Sequence, residues 1–498
     1  MQATFKAILA ANVYQVAVQT PLEKAQVLSN RYNNNIYIKR EDLQPVHSFK
    51  LRGAFNKIKN LTKEQQKLGI ITVSAGNHAQ GVALSAKFLK INATIVMPVT
   101  TPEIKVNSVK SYGVKVIKHG DDYDSAKERA LELAQEHNLI LIPPFDDLAV
   151  IGGQGTIAVE ILNQHPEPID MIFVPVGGGG LIAGIATYIK TISPKTKVIG
   201  VEPEDAASMY ESIKNDKIVS LEQVGIFADG VAVRRVGDLT FDIVRQTVDE
   251  IILVSIDEIC AAIKEIFEDN RSVAEPAGAL AMAGLRKYLE KHNLSNKEIV
   301  VIESGANINF DRLRHVAERA DIGEKKEIVF AATIDEQKGS FKKFCRLIGK
   351  RRITEFNYRY ANPDSAHVFV GIEASDDAIL HKLKNNNIPV QDLSNNEMAK
   401  QHVRYMVGGR PPKIKDEVIY RFQFPERPGA LLDFLTHTGA RWNISLFHYR
   451  NHGAAFGRVL VGVQVPKNEI DELELHFSKL KYEYSKESRN PAYELFLS

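Results

Sequence analysis

A lysine between two apolar side chains, in His47-Ser48-Phe49-Lys50-Leu51-Arg52-Gly53-Ala54, is the best-placed nucleophile in this chain. The stretch falls at a predicted loop-to-helix junction. Burial there penalises the ammonium form and draws the amine pKa from about 10.4 toward neutrality. A neutral amine bonds to an aldehyde carbon and can later serve as a base. Taken alone, the plainer reading is a surface lysine laying its stem along the helix.

A second feature is an anion cup. Gly177, Gly178, Gly179 and Gly180 follow the apolar run Met171 to Val176 and lead into the helix-like Leu181-Ile182-Ala183-Gly184. A strand that ends in glycines and re-enters as a helix leaves several N–H groups bare around one point, and the helix dipole favours a phosphate there. Gly178-x-Gly180-x-x-Ala183, with Glu202 ending the next strand about 20 residues on, also satisfies a dinucleotide fingerprint. No Gly-Lys-Ser/Thr follows, so a nucleoside-triphosphate loop is excluded. A tight turn with no ligand is the third reading.

Two further loops leave predicted strands. Ser74-Ala75-Gly76-Asn77-His78 precedes a helix and offers a hydroxyl, amides and free N–H groups suited to a carboxylate, or an ordinary helix cap. Glu303-Ser304-Gly305-Ala306-Asn307 ends another apolar strand, where Ser304 can bond a ring nitrogen or cap a helix. Glu275, in Ala274-Glu275-Pro276, is a further acid or a helix N-terminal residue. Together, an aldehyde-trapping lysine, a phosphate cup, an asparagine and carboxylate loop and a neutral hydroxyl are the parts of a pyridoxal phosphate site.

The elements that position these residues alternate. Apolar runs at residues 35–39, 69–73, 93–97, 114–117, 171–176, 197–201 and 298–302 are separated by helical stretches, the pattern of parallel sheets covered on both faces. Ligands bind such sheets at the carboxyl ends of the strands, where these loops lie. After Glu324-Lys325-Lys326-Glu327 an internal repeat appears at an offset of about 90 residues. Ile353-Thr354-Glu355-Phe356-Asn357-Tyr358-Arg359 aligns with Ile444-Ser445-Leu446-Phe447-His448-Tyr449-Arg450, and Val368 to Ile372 with Val459 to Val463. Each copy reads as a ferredoxin-like βαββαβ unit, with a seam expected at Tyr405 to Lys415.

At 498 residues the chain exceeds one core. A net charge of +2 gives no general attraction to nucleic acid or an anionic membrane. Cys260 and Cys345 make no metal or redox spacing, and neither a membrane span nor a secretory leader is evident, so a cytoplasmic protein is expected.

Lys39 to Gln44, Ser48 to Ala54, Ser74 to Gly81, Val176 to Gly184 and Ser304-Gly305-Ala306-Asn307 resemble, in this order, the β-family (fold type II) of pyridoxal-phosphate enzymes. Within it the likeness is to the biosynthetic threonine dehydratases and extends over nearly the whole chain. The repeat resembles their paired ACT-like regulatory domains. The resemblance implies a catalytic α/β part at 1–322 with two subdomains, and regulatory domains at 323–404 and 415–498. It implies Lys50 as the lysine that bonds pyridoxal 5′-phosphate and later acts as base. Asn77 would hold the ring 3′ oxygen, Gly177, Gly178, Gly179, Gly180 and Leu181 the phosphate, and Ser304 the ring nitrogen. Ser74, Ala75, Gly76 and His78 would surround the substrate carboxylate. Gly305-Ala306-Asn307 stands where some relatives have Gly-Gly-Asn. The implied reaction takes L-threonine to 2-oxobutanoate and ammonia, committing carbon to isoleucine; isoleucine inhibits, valine opposes it, the assembly is a homotetramer, and no residue is assigned to a metal.

Overall fold

The computed structural model describes the chain except for residues 121–122, 311, 361–362, 375–376, 397–398, 401–402, 404–415, 426–428, 439–440, 451–455, 481 and 489–498. The seam expected at Tyr405 to Lys415 lies outside the described residues. The chain forms two compact units, Met1–Gly323 and Glu324–Ser498.

Among its described residues the first unit carries ten strands: β1 (Leu22–Lys24), β2 (Asn35–Arg40), β3 (Ile70–Val73), β4 (Ala93–Met97), β5 (Lys115–Lys118), β6 (Ile140–Leu141), β7 (Met171–Pro175), β8 (Lys197–Pro203), β9 (Glu250–Val254) and β10 (Glu298–Glu303). They make a six-stranded sheet, order β1-β2-β10-β7-β8-β9, and a four-stranded sheet, order β5-β4-β3-β6. All pairings are parallel except the edge pair β1–β2.

The apolar runs are continuous because both faces of the larger sheet are covered. Successive strand residues point to opposite faces. Met171, Phe173, Ile199, Val201, Ile299 and Val301 pack in one buried cluster with the helix Pro276–His292. Ile172, Val174, Val198, Val300 and Ile302 pack in the other, against the helices Leu148–Gln164 and Gly180–Ile192. Three strands escape the sequence pattern. β1 and β6 are too short to show a period, and the apolar run of β9 blends into the helix Ile256–Asn270.

Among its described residues the second unit forms an eight-stranded antiparallel sheet. Its strands are β11 (Glu327–Asp335), β12 (Ile353–Arg359), β13 (Ser365–Glu373), β14 (Val390–Asp392), β15 (Glu417–Pro425), β16 (Asn443–Arg450), β17 (Phe456–Gln464) and β18 (Tyr484–Lys486). The order is β14-β11-β13-β12-β16-β17-β15-β18. Each copy has the βαββαβ order read from the repeat, with helices Ser340–Ile348 and Ala378–Asn385 in the first and Ala430–Thr438 and Ile470–Leu480 in the second. A register shift recurs at matching places, between Ile353 and Glu355 and between Ile444 and Leu446. The copies join where β12 meets β16, with Phe356 opposite Tyr449 and Tyr358 opposite Phe447. All four rings are buried in a core that both copies share.

Candidate active site

Lys50 opens the helix Lys50–Lys59, directly after Phe49. Its Nζ donates to the Pro144 carbonyl at 3.2 Å and lies 5.3 Å from the centre of the Phe49 ring. Enclosure of the amine drives its pKa down to about 8, against the opposing pull of the Glu275 carboxylate. At neutral pH a useful fraction of the amine is therefore unprotonated.

The loops converge on this lysine through a chain of bonds. Phe49 N–H donates to the Ser304 carbonyl at 3.2 Å, and Ser48 bridges Gly305. Glu275 N–H donates to Gly305 O at 3.1 Å. Asn77 Nδ2 donates to Glu275 Oε1 at 2.6 Å, while its Oδ1 accepts from Asn307 Nδ2 at 2.7 Å. Asn307 Nδ2 also donates to Val46 O, which fixes both amide orientations. One N–H of Asn77 is thus left over to reach an oxygen acceptor. Burial, then the charge of Asp229, raises Glu275 to about 7.

Ser304 is buried and its hydroxyl donates to Ala277 O at 3.3 Å. That bond is long for a hydroxyl, so a better acceptor such as a ring nitrogen displaces it readily. In the carboxylate loop, Ser74 Oγ accepts from Gly76 N–H at 3.2 Å. The helix Asn77–Leu89 begins at Gly76 without a side-chain cap, and a Cβ built on Gly76 would meet nothing within 4 Å. Free N–H groups and open space coincide there. His78 is buried, and burial followed by the Lys50 charge pushes it down to about 3. Its Nε2 bonds Ile142 O at 3.1 Å, so the neutral ring carries its proton on Nε2; Nδ1 is a buried acceptor without a partner in the structure.

The glycine turn is crowded from outside. A Cβ on Gly178 would lie 2.3 Å from the Phe145 ring, on Gly180 2.9 Å from Phe145 Cβ, on Gly179 2.6 Å from Met209 Cε and on Gly177 2.9 Å from Val231 Cα. Gly179 also has φ of +92°, a left-handed conformation that favours glycine. Close approach therefore demands all four glycines, and the first-turn N–H groups of the helix Gly180–Ile192 have no intrahelical acceptor. Phe145 follows Pro144, the acceptor of Lys50, so lysine and turn flank one short segment.

Glu202 takes no part in an anion site. Fully buried, it accepts Met209 and Tyr210 N–H at 2.9 and 2.8 Å and so caps the helix Ser208–Lys214. Sequence reasoning missed Phe145, Asp146 and Thr240 around the turn. The run Pro143-Pro144-Phe145-Asp146-Asp147 ahead of a helix is the one signal that marks that segment. No group of three or more His, Cys, Asp or Glu side chains suited to a metal occurs among the described residues.

A deprotonatable half-buried lysine, a neutral hydroxyl, a free amide N–H and an anion cup suit an aldehyde-bearing, phosphorylated pyridine ring. Residues 13–305 match the family of pyridoxal-phosphate dependent enzymes. Residues 318–403 and 408–497 match the C-terminal regulatory domain of threonine dehydratase. Fold and match define a pyridoxal-phosphate dependent enzyme with an appended regulatory part. The chain is 52% identical over 502 residues to the L-threonine dehydratase biosynthetic IlvA of Burkholderia multivorans, spanning 99% of both chains. It is 51% identical over 498 residues to that of Escherichia coli, spanning 99% of this chain and 96% of the other. The solved processed form of threonine deaminase isoform 2 from Solanum lycopersicum aligns at TM-score 0.63 and 50% identity, covering 64% of this chain and 88% of that one. Maize serine racemase aligns at TM-score 0.59 and 34% identity, covering 64% and 96%. The chain belongs to the biosynthetic threonine dehydratase family of pyridoxal-phosphate dependent lyases.

Proposed function

We propose that the chain converts L-threonine to 2-oxobutanoate and ammonia as the committed step toward isoleucine, in the cytoplasm, as a homotetramer inhibited by isoleucine and relieved by valine. The observation that carries the catalytic reading is the enclosed Lys50 amine, bonded to Pro144 O and linked through Phe49 to Ser304 and through Pro144–Phe145 to the glycine turn. Bound pyridoxal phosphate supplies an electron sink that acidifies the substrate Cα–H and lets the β-hydroxyl leave. Lys50 removes the Cα proton as a neutral amine. Gly177 to Leu181 hold the phosphate through their N–H groups, and Asn77 holds the ring oxygen with its remaining N–H. Ser304, an uncharged hydroxyl, meets the ring nitrogen without protonating it. Ser74, Ala75 and Gly76 hold the substrate carboxylate with backbone dipoles; His78, neutral in this setting, shapes the loop and adds no positive charge. An assay for 2-oxobutanoate from L-threonine, with and without isoleucine, tests the whole. A colourless protein that forms no keto acid would overturn it.

The amine's lowered pKa has a kinetic consequence. The rate at which the apoprotein takes up pyridoxal phosphate is expected to rise with pH, reach half its plateau near pH 8, and level off above. Glu275 favours the ammonium form, so Glu275→Gln lowers the midpoint. Stopped-flow absorbance across pH 6 to about 10 measures both; a midpoint that stays or rises in the variant contradicts the coupling.

Regulation is supported by a pocket in the second unit, lined by Arg351, Arg352, Ile353, Phe424, Leu431 and Phe447 from both copies. Two arginines in a lining with apolar rings suit the carboxylate and side chain of a branched amino acid, although one N–H of Arg351 already donates to Ile348 O. Replacing Arg351 and Arg352 together by leucine is expected to raise the half-inhibitory isoleucine concentration at least about tenfold, the scale of one charge-assisted hydrogen bond. Basal turnover stays unchanged. Unaltered inhibition would move the effector elsewhere.

A further inference from the structure

The helix Asp238–Thr247 braces the glycine turn through a polar contact. Thr240 Oγ1 donates to the Gly178 carbonyl at 2.6 Å, and Gly237 N–H approaches the same oxygen at 3.4 Å. Thr240 is fully buried. The hydroxyl also lies 3.2 Å from Gly237 O, but one proton serves one acceptor, and the shorter bond goes to Gly178. Asp146 fixes the brace in turn. Its Oδ1 accepts Leu239 and Thr240 N–H at 3.0 and 3.2 Å and its Oδ2 accepts Asp238 N–H at 3.0 Å. The first-turn donors of this helix are therefore spent on Asp146 and are not available to an anion.

We propose that Thr240 is a positioning residue for cofactor phosphate: its hydroxyl holds the Gly178 carbonyl outward and thereby turns the Gly179 N–H into the cup. The reason is the planarity of the peptide. In a trans peptide the C=O of one residue and the N–H of the next point to opposite sides, so fixing Gly178 O toward Thr240 sends Gly179 N–H the other way. The turn needs such a hold. Gly178 and Gly179 have no side chains to lock them, and a glycine peptide flips at little steric penalty. A flipped 178–179 peptide would present a carbonyl oxygen to a dianion in place of a donor. This inference rests on the reading that the glycine turn receives the phosphate.

The test compares apoprotein affinity for pyridoxal phosphate with that for pyridoxal, which lacks the phosphate, in wild type, Thr240→Val, Thr240→Ser and Thr240→Ala. Val keeps the branched shape without the hydroxyl; Ser keeps the hydroxyl without the methyl. The Ser and Ala pair isolates the same hydroxyl should Val fold poorly. The expected result is pyridoxal phosphate affinity about tenfold weaker in Val than in Thr and in Ala than in Ser, with pyridoxal affinity changed by less than about twofold. Equal weakening of both ligands, or no difference between hydroxyl and non-hydroxyl variants, overturns the role of Thr240. Wild type binding both ligands equally tightly instead removes the phosphate reading of the turn, and the inference with it.

Discussion

Lys50→Ala is expected to reduce turnover of threonine by at least about 10⁴-fold, because one atom is asked to do two jobs. A positioned general base contributes roughly 10² to 10⁴-fold, and the covalent hold on the cofactor adds orientation to that. Folding should survive the change. The Nζ of Lys50 makes one hydrogen bond, to Pro144 O, and its enclosure already disfavours the charged form. The phosphate cup is untouched, so the variant still takes up pyridoxal phosphate, now without a bond that borohydride can fix. Kinetics on the purified variant, together with mass spectrometry after borohydride treatment of wild type, measure both effects. Turnover above about 1% of wild type, or a fixed label on another lysine, would sink the assignment.

Much of this site is legible in the sequence because its parts are local. A strand that ends in Gly177 to Gly180 must turn, and a lysine at a loop-to-helix junction between Phe49 and Leu51 is a candidate for enclosure. The repeat is legible for a similar reason: Phe356, Tyr358, Phe447 and Tyr449 are spaced for one face of a strand, and all four lie in the shared core. What stays hidden depends on distant contacts. Phe145 crowds Gly178 and Gly180, and Thr240 reaches Gly178 O across 62 residues. Only the Pro143-Pro144 pair ahead of a helix flags the segment of Phe145, and nothing local marks Thr240. The glycine count also carries a lesson. Val231, Phe145, Met209 and Thr240 each exclude a Cβ along the run, so sterics alone demand the four glycines, whatever the turn binds. The dinucleotide reading fails on a nearer contact: Glu202 has the right spacing, but its carboxylate is spent on the N–H groups of Met209 and Tyr210. Nor could the strand pattern reveal that the two regulatory copies pair edge to edge through β12 and β16.

Arg52→Met is expected to destabilise the protein by about 3–5 kcal/mol, the usual range for removing one partner of a buried ion pair. Arg52 is fully buried two residues after Lys50. Its Nη2 donates to Glu41 Oε1 at 2.8 Å, its Nε to Glu41 Oε2 at 2.8 Å, and its Nη1 to Glu160 Oε1 at 2.6 Å. Glu160 keeps a second cation, Lys39 at 2.6 Å, but Glu41 retains only neutral donors, Thr20 and Gln44. The unpaired group in the variant is thus Glu41. In wild type, burial would raise its carboxyl, but the charge and hydrogen bonds of Arg52 overturn that and hold it below the ordinary range. A carboxyl with a depressed folded pKa contributes stability above the unfolded value of about 4.3 and loses it as pH falls through the folded one. Without Arg52 the Thr20 hydroxyl and the Lys39 charge are left to oppose burial, the largest influence on Glu41, so the carboxyl is expected to rise in the folded state and the variant to lose stability as pH rises through and above about 4.3. The gap in melting temperature between wild type and Arg52→Met should therefore widen from pH 5 to pH 8. Adding Glu41→Gln to Arg52→Met should recover part of the loss at pH 8 and little at pH 5. A gap independent of pH would mean that packing, and not the unpaired carboxylate, sets the effect. Because the helix that Arg52 anchors begins at Lys50, the same variant should also slow pyridoxal phosphate uptake, tying the buried charge network to the placement of the reactive amine.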